Sequence, residues 1–134
     1  MPWIRALEVM TVPSDSIQHQ IVNELSTWPG VTLKPHRFGG VEFRLGRREL
    51  GHIHGNWLVD LPFPVPLREQ LVAEGRAEPH HVIPRSGWVS YHIRDKGDVA
   101  SVIALFRLNY ERLGAAGRER PAGVEHADRS GDGS

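Results

Sequence analysis

The hydrophobic positions between residues 36 and 60 recur mostly at every second residue, which is typical of β-strands. Val41, Phe43 and Leu45 alternate with polar residues, so their run predicts a strand with one buried face. Turns that contain glycine separate this run from its neighbours. The runs together predict an antiparallel meander of four strands. They cover residues 31–36, 41–45, 48–54 and 57–61.

The third of these runs departs from strict alternation. Leu50 and Ile53 have opposite parity, so either both faces of the strand are covered or Gly51 marks a β-bulge. His52 and His54 lie two residues apart and should therefore point to the same side of the sheet. The strand thus predicts a pair of neighbouring imidazoles.

Three segments repeat their apolar residues at helical spacing and predict helices. Ser14 is the expected N-cap of the first helix, and Asp98 is the expected N-cap of the last. An extended loop over 77–87 should lead into a fifth strand at 88–94. This order predicts an α+β fold, a mainly antiparallel meander sheet with helices packed mostly on one face. The helices are expected at residues 14–28, 67–74 and 98–113.

The length of 134 residues suits one hydrophobic core. We expect one domain over residues 14–113, preceded by an arm over 1–13. From residue 114 onward the chain is rich in Arg, Glu, Gly, Asp and Ser, which predicts a disordered tail over 114–134.

The charge balance argues against two classes of partner. Lys and Arg number 16, as do Asp and Glu, so no net field attracts nucleic acid or an anionic membrane. The chain has no cysteine, which excludes disulfides, thiolate metal sites and cysteine nucleophiles. Its start does not resemble a signal peptide and no run approaches a membrane span, so we expect a cytoplasmic protein.

Two kinds of chemistry fit the histidine pair. His52 and His54 could bind a zinc- or iron-type ion, with a third ligand from Asp60, His81 or His92. Without an ion, a histidine beside a carboxylate such as Glu49 could act as a general base. The structural alternative is a set of hydrogen-bonded histidines on a half-buried sheet face.

The arginines beside the pair have a functional and a structural interpretation. Arg48 or Arg44 could hold a developing anion, because the guanidinium stays charged and bonds in a fork. Alternatively Arg47, Arg48 and Glu49 form ordinary cross-strand ion pairs, which contribute little at a surface.

The aromatic residues allow two interpretations as well. Trp57, Trp88 and Phe63, with the proline-rich loop over 62–66, could wall a pocket for a flat ligand. They could equally belong to the core, and the alternation around Trp57 favours the core.

The stretches RRELGHIHG, NWLVDLPF and EPHHVIPRSGWVSYHIR, with a closing apolar helix that ends in NYERL, resemble the luciferase-domain family over about residues 36–113. A later histidine and tryptophan of the family pattern are matched by His81 and Trp88. The resemblance implies oxygenation of a polyketide-derived α-pyrone by molecular oxygen, with no flavin or nucleotide. The residues that match the basic-Arg-Glu and His-x-His block are Arg47, Arg48, Glu49, Leu50, His52 and His54.

We therefore expect a cofactor-independent oxygenase of luciferase type, acting on an enolic or aromatic small molecule with molecular oxygen as co-substrate. The alternative is a non-catalytic module that binds a ligand or a protein. We expect no metal, because a base alone can generate a reactive enolate. The expected catalytic residues are His52, His54, Glu49, Arg48 and His81, and the expected substrate-binding residues are Trp57, Asp60, Trp88 and His92.

Overall fold

A computed structural model describes residues 16–36, 39–80, 82 and 86–118 of the chain. Within them the chain forms three α-helices, six strands and one turn of 3-10 helix at Lys96–Asp98. The helices are α1 (Ile17–Leu25), α2 (Val65–Ala73) and α3 (Val99–Arg118). The strands are β1 (Val31–His36), β2 (Gly40–Leu45), β3 (Arg48–His54), β4 (Leu58–Pro62), β5 (Glu78–Pro79) and β6 (Trp88–His92).

The strands form one sheet in the order β1-β2-β3-β4-β6-β5, and each neighbouring pair is antiparallel. The predicted α+β fold and the meander of β1 to β4 are therefore confirmed. β5 was not predicted, because two residues are too short to show an alternating pattern. It pairs Glu78 with Ser90 and Pro79 with Val89, which extends the sheet beyond β6.

The helices pack on one face of the sheet and enclose the core between them. Ile21 and Leu25 of α1 and Phe106 of α3 are fully buried in one core cluster, together with Phe43 of β2 and Leu50 of β3. The rings of Phe43 and Phe106 meet edge to face with centroids 5.1 Å apart. Burying such side chains supplies most of the stabilisation of a small domain.

Several helix ends differ from the predicted positions. Ser16, not Ser14, caps α1, and its hydroxyl accepts a hydrogen bond from the backbone N–H of His19 at 3.1 Å. Asp95 caps the 3-10 turn, whereas Asp98 accepts hydrogen bonds from the Tyr91 hydroxyl and the backbone of Arg94. α3 continues to Arg118, past the end predicted at residue 113. The arm over 1–13 and residues 119–134 of the tail lie outside the described residues.

A β-bulge in β3 explains its irregular pattern. Phe43 pairs with Gly51 and Arg44 pairs with Glu49, so Leu50 is the extra residue. Because of the bulge, the side chains of Leu50 and Ile53 both enter the core although the two residues have opposite parity. A bulge was one of the two explanations that the sequence allowed. On the other side of the strand it brings Glu49 next to His52, where their side chains meet at 2.7 Å.

The bulge depends on glycine at position 51. Gly51 has φ of 150°, a conformation that residues with a side chain rarely adopt. A Cβ atom there would lie 2.7 Å from the carbonyl oxygen of Asp60 and 2.9 Å from the ring of Phe106. The site and the core are thus built on a close approach that only glycine permits.

Candidate functional site

The register of the sheet places polar side chains in one row across the strands, with four of them in the centre of the sheet. Glu42 of β2 faces His52 of β3, His52 faces Asp60 of β4, and Asp60 faces Ser90 of β6. The row lies on the side of the sheet opposite the core, because Ile53, adjacent to His52, points into the core.

Asp60 is the buried centre of this row, with only 2% of its side chain exposed. Three imidazoles direct Nε2 toward its Oδ2 atom: His52 at 3.3 Å, His54 at 3.4 Å and His80 at 3.7 Å. The hydroxyl of Ser90 donates to Oδ1 at 2.7 Å. A buried carboxylate needs such partners, since burial of an unpaired charge is costly.

A second layer of side chains surrounds these imidazoles. Glu49 Oε2 lies 2.7 Å from His52 Nδ1, so both ring nitrogens of His52 face a carboxylate. The ring of His36 stacks on that of His52 with centroids 4.2 Å apart. Glu42 lies 3.6 Å from His36 and also binds Arg44. We call His36, His52, His54, His80 and Asp60 the histidine cluster.

The electrostatics of the cluster separate its histidines. Burial lowers the pKa of His52, but hydrogen bonds and charges of Asp60 and Glu49 outweigh it and raise this pKa to about 9. Burial raises the pKa of Asp60, but hydrogen bonds to His52 and Ser90 and the charge of His80 lower it to about 2. Burial and the charge of His52 lower the pKa of His54, against the opposing effect of Asp60. In the ion-free site, a positively charged His52 and a negatively charged Asp60 therefore lie beside the neutral imidazole of His54.

The structure brings most of the predicted site residues together. Glu49 contacts His52, and Asp60 contacts both His52 and His54. Trp88 lies beside them, with its ring centroid 5.5 Å from that of His52. Trp88 therefore lies beside the cluster, and its part in binding a ligand stays a prediction.

Not all of the other predicted residues are shown beside the cluster. For Trp57 the alternation favours the core over a pocket wall, but 58% of it is exposed, because it lies in the turn before β4. Its ring centroid is 6.2 Å from that of His54. Phe63 is fully buried in the core rather than in a pocket wall. His92 bonds Glu78 at 2.8 Å, and Arg48 pairs with Leu45 at the start of β3. His81 lies outside the described residues.

Two histidines of the cluster were not predicted. His36 ends β1, two strands away from β3, and only the sheet register places it beside His52. His80 follows directly after β5, which the sequence did not reveal as a strand. The His80-His81 dipeptide was visible, but without the strand its first member could not be chosen over its second.

A cleft of about 380 Å³ lies at the β5–β6 edge, away from His52 and His54. Arg76, Tyr91 and His92 contribute to its walls. Residues 81 and 83–85, which follow His80, lie outside the described part of the chain.

Fold and site together define a small antiparallel α+β domain with a histidine–carboxylate cluster on the polar face of its sheet. Comparison with known families matches residues 47–109 to the family described as the luciferase domain. This match confirms, over these residues, the resemblance to that family seen in the sequence. The match is narrower than residues 36–113, and it contains every member of the cluster except His36.

The remaining comparisons add no relative. No curated protein and no solved structure matches the chain. Among the described residues, no helix is long and apolar enough to cross a membrane.

Proposed function

We propose that the histidine cluster is the active site of an oxygenase that acts on an enolic or aromatic small molecule. Its only co-substrate is molecular oxygen, and it needs no flavin or nucleotide. The observation that supports this proposal is the buried Asp60 carboxylate facing the Nε2 atoms of three imidazoles. Buried clusters of titratable groups are concentrated at functional sites.

The first step is the removal of a proton from the acidic hydroxyl of the substrate. In the ion-free site His54 accepts this proton, because imidazole is the side chain that exchanges protons near neutral pH. Asp60 orients the ring through Nε2, at 3.4 Å. The enolate oxygen then lies beside His52, whose positive charge stabilises it.

The second step is the reaction of the electron-rich enolate with oxygen. The enolate transfers one electron to molecular oxygen, and the two radicals combine to form a carbon–oxygen bond. The proton held by the imidazole returns to the terminal oxygen, so the product is a hydroperoxide. The substrate thereby gains both atoms of one oxygen molecule, and no external reductant is consumed.

The flat rings of such substrates match the aromatic residues beside the cluster. Trp88 is 5.5 Å from His52 and Trp57 is 6.2 Å from His54, measured between ring centroids. A conjugated ring can stack on either side chain while its hydroxyl faces the imidazoles. We propose an uncharged apolar or aromatic ligand, no contact with nucleic acid or membrane, and a cytoplasmic location.

Oxygen uptake over a panel of hydroxypyrones and catechols tests the proposal. We expect uptake with at least one compound that carries an acidic enolic hydroxyl, and none with its O-methyl ether. The ether is a matched control, because it keeps the ring but has no proton to remove.

A binding module without catalysis is the second candidate. It is favoured by exposed apolar side chains, since 58% of Trp57 and 68% of Val82 are accessible to solvent. Saturable quenching of tryptophan fluorescence by the hydroxypyrones, together with flat oxygen traces across the panel, would establish this candidate and exclude the oxygenase.

A further inference from the structure

We propose that the histidine cluster is a binding site for one divalent first-row transition ion, with His52, His54 and Asp60 as the protein ligands. As far as the chemistry is concerned, this inference rests on the proposed function and adds a metal ion to it. The binding of the ion does not depend on the proposed function, and it can be measured without substrate or oxygen. The sequence predicted a metal-free site, and the arrangement of the side chains leads to a different expectation.

The distances within the cluster fit a coordination shell. With metal–ligand bonds of 2.0–2.1 Å, two ligand atoms of a tetrahedral ion are about 3.3–3.4 Å apart. Asp60 Oδ2 lies 3.3 Å from His52 Nε2 and 3.4 Å from His54 Nε2. Both distances exceed the mode of an N–H···O hydrogen bond, about 2.9–3.0 Å. An ion that bound Asp60 Oδ2 together with either Nε2 atom would therefore leave these two separations nearly unchanged.

Further imidazoles are close enough to complete the shell. Ring nitrogens of His36, His52 and His54 all lie within 4.8 Å of one another. His80, which follows β5, places its Nε2 atom 3.7 Å from Asp60 Oδ2. His52 and His54 take part in both groupings, so we assign them as ligands and place His36 and His80 as competitors for a fourth position.

The partners of these ligands are those found around protein-bound metals. A metal-binding histidine commonly donates its second ring N–H to a carboxylate, which fixes the tautomer. Glu49 occupies that place for His52, at 2.7 Å from Nδ1. Ser90 donates to Asp60 Oδ1 at 2.7 Å and leaves Oδ2 directed at the imidazoles. Both contacts use the other atom of each side chain, so His52 Nε2 and Asp60 Oδ2, 3.3 Å apart, remain for the ion.

The type of ligand limits the type of ion. Two imidazoles and one carboxylate, with no thiolate in the chain, suit iron, cobalt, nickel or zinc rather than copper(I) or an iron–sulfur cluster. Two histidines and one carboxylate with open positions are also the ligand set of many non-haem ferrous enzymes that use oxygen. In the ion-bound protein the metal would supply the positive charge beside the enolate oxygen, and His54, as a ligand, would not be the proton acceptor that it is in the ion-free site.

Calorimetric titration of untagged, chelator-treated protein with Zn²⁺ tests the inference. We expect one ion per chain for the natural protein. His54→Ala and Asp60→Asn should weaken binding by more than about 100-fold, and Glu49→Gln by about 10–100-fold, as for outer partners elsewhere. His19→Ala is the matched control, because His19 lies on α1, on the other side of the sheet, and should bind normally.

Co²⁺ absorption identifies the ligands independently. Bound Co²⁺ should show visible bands that change in His54→Gln, because this variant removes the imidazole of a partly buried side chain and keeps most of its volume. Far-ultraviolet circular dichroism identifies any variant that fails to fold. If His54→Ala fails to fold, the ion affinity of His54→Gln is compared with that of the natural protein instead. Absence of saturable binding by the natural protein, or equal affinity in His54→Gln, would overturn the inference.

Discussion

At the level of single residues, the ion pair between Asp60 and His52 is buried and supported on both sides. Ser90 holds the carboxylate and Glu49 holds the imidazole, each at 2.7 Å. Together with the attraction within the pair, these partners lower the pKa of Asp60 and raise the pKa of His52. Folding of the ion-free protein should therefore depend on pH in a specific way.

We predict that the ion pair of Asp60 and His52 stabilises chelator-treated protein most between about pH 4 and pH 6.5. The pKa of Asp60 is lowered from 3.8 to about 2, so its stabilisation is present above pH 3.8 and is lost as the pH falls toward 2. The pKa of His52 is raised from 6.5 to about 9, so its stabilisation is present below pH 6.5 and is lost as the pH rises through 9. Urea unfolding followed by tryptophan fluorescence measures both limbs.

The variant Asp60→Asn provides the comparison for this pH dependence. It keeps the size of the side chain and removes the charge that holds the His52 proton. The loss of stability between pH 6.5 and 9 should then become smaller. A wild-type stability that is constant from pH 6 to pH 10 would contradict the ion pair.

At the level of elements, β3 and α3 together hold the bulge on which the site depends. Asn109 of α3 is fully buried and donates from Nδ2 to the carbonyl oxygen of Leu50 at 3.0 Å. Arg112 donates to Asn109 Oδ1 at 2.8 Å. The helix thus supplies the hydrogen bond that the bulged residue cannot find in the sheet.

We predict that Asn109→Ala lowers the free energy of unfolding by about 1–3 kcal/mol, because the Leu50 carbonyl loses its partner. Asn23→Ala on the exposed side of α1 is the matched control and should change it by less than about 0.5 kcal/mol. Chemical denaturation compares the two. Equal effects in the two variants would show that the buried amide contributes nothing specific.

We predict that Gly51→Ala destabilises the protein by at least about 2 kcal/mol, through backbone strain and overpacking together. A Cβ would come within 2.7 Å of the Asp60 backbone. Gly75→Ala separates the two causes, because Gly75 also has positive φ, of 74°, but has open space around it. Thermal unfolding should show the larger loss for Gly51→Ala, and the reverse order would refute the close-approach explanation.

The elements that carry the core were predictable, and those that complete the site were only partly so. Alternation in β2 and the spacing in α3 define strand and helix directly, because each buries one continuous face. In β3 the bulge breaks the alternation, so the contact of Glu49 with His52 could not be derived from parity alone. β5 is too short to have a pattern, and His80 was missed with it.

At the level of the whole molecule, the sheet divides the domain into a core side and a chemical side. Residues from β1, β3, β4 and the segment after β5 meet in the histidine cluster, although they are up to 44 positions apart in sequence, from His36 to His80. Local patterns found the His52–His54 pair and Asp60. The contributions of His36 and His80 depend on strand order and register, which a single sequence does not specify.

The most direct test of the central claim is the initial rate of oxygen uptake on an enolic hydroxypyrone, measured side by side for four proteins. His54→Ala and Asp60→Asn should each lose at least about 100-fold, the usual contribution of a positioned acid–base group. The natural protein and His19→Ala should agree within about twofold, because surface changes distant from a site are close to neutral. Undiminished uptake by His54→Ala, or no uptake by the natural protein with any hydroxypyrone or catechol, would contradict the assignment of the histidine cluster as an oxygenase site.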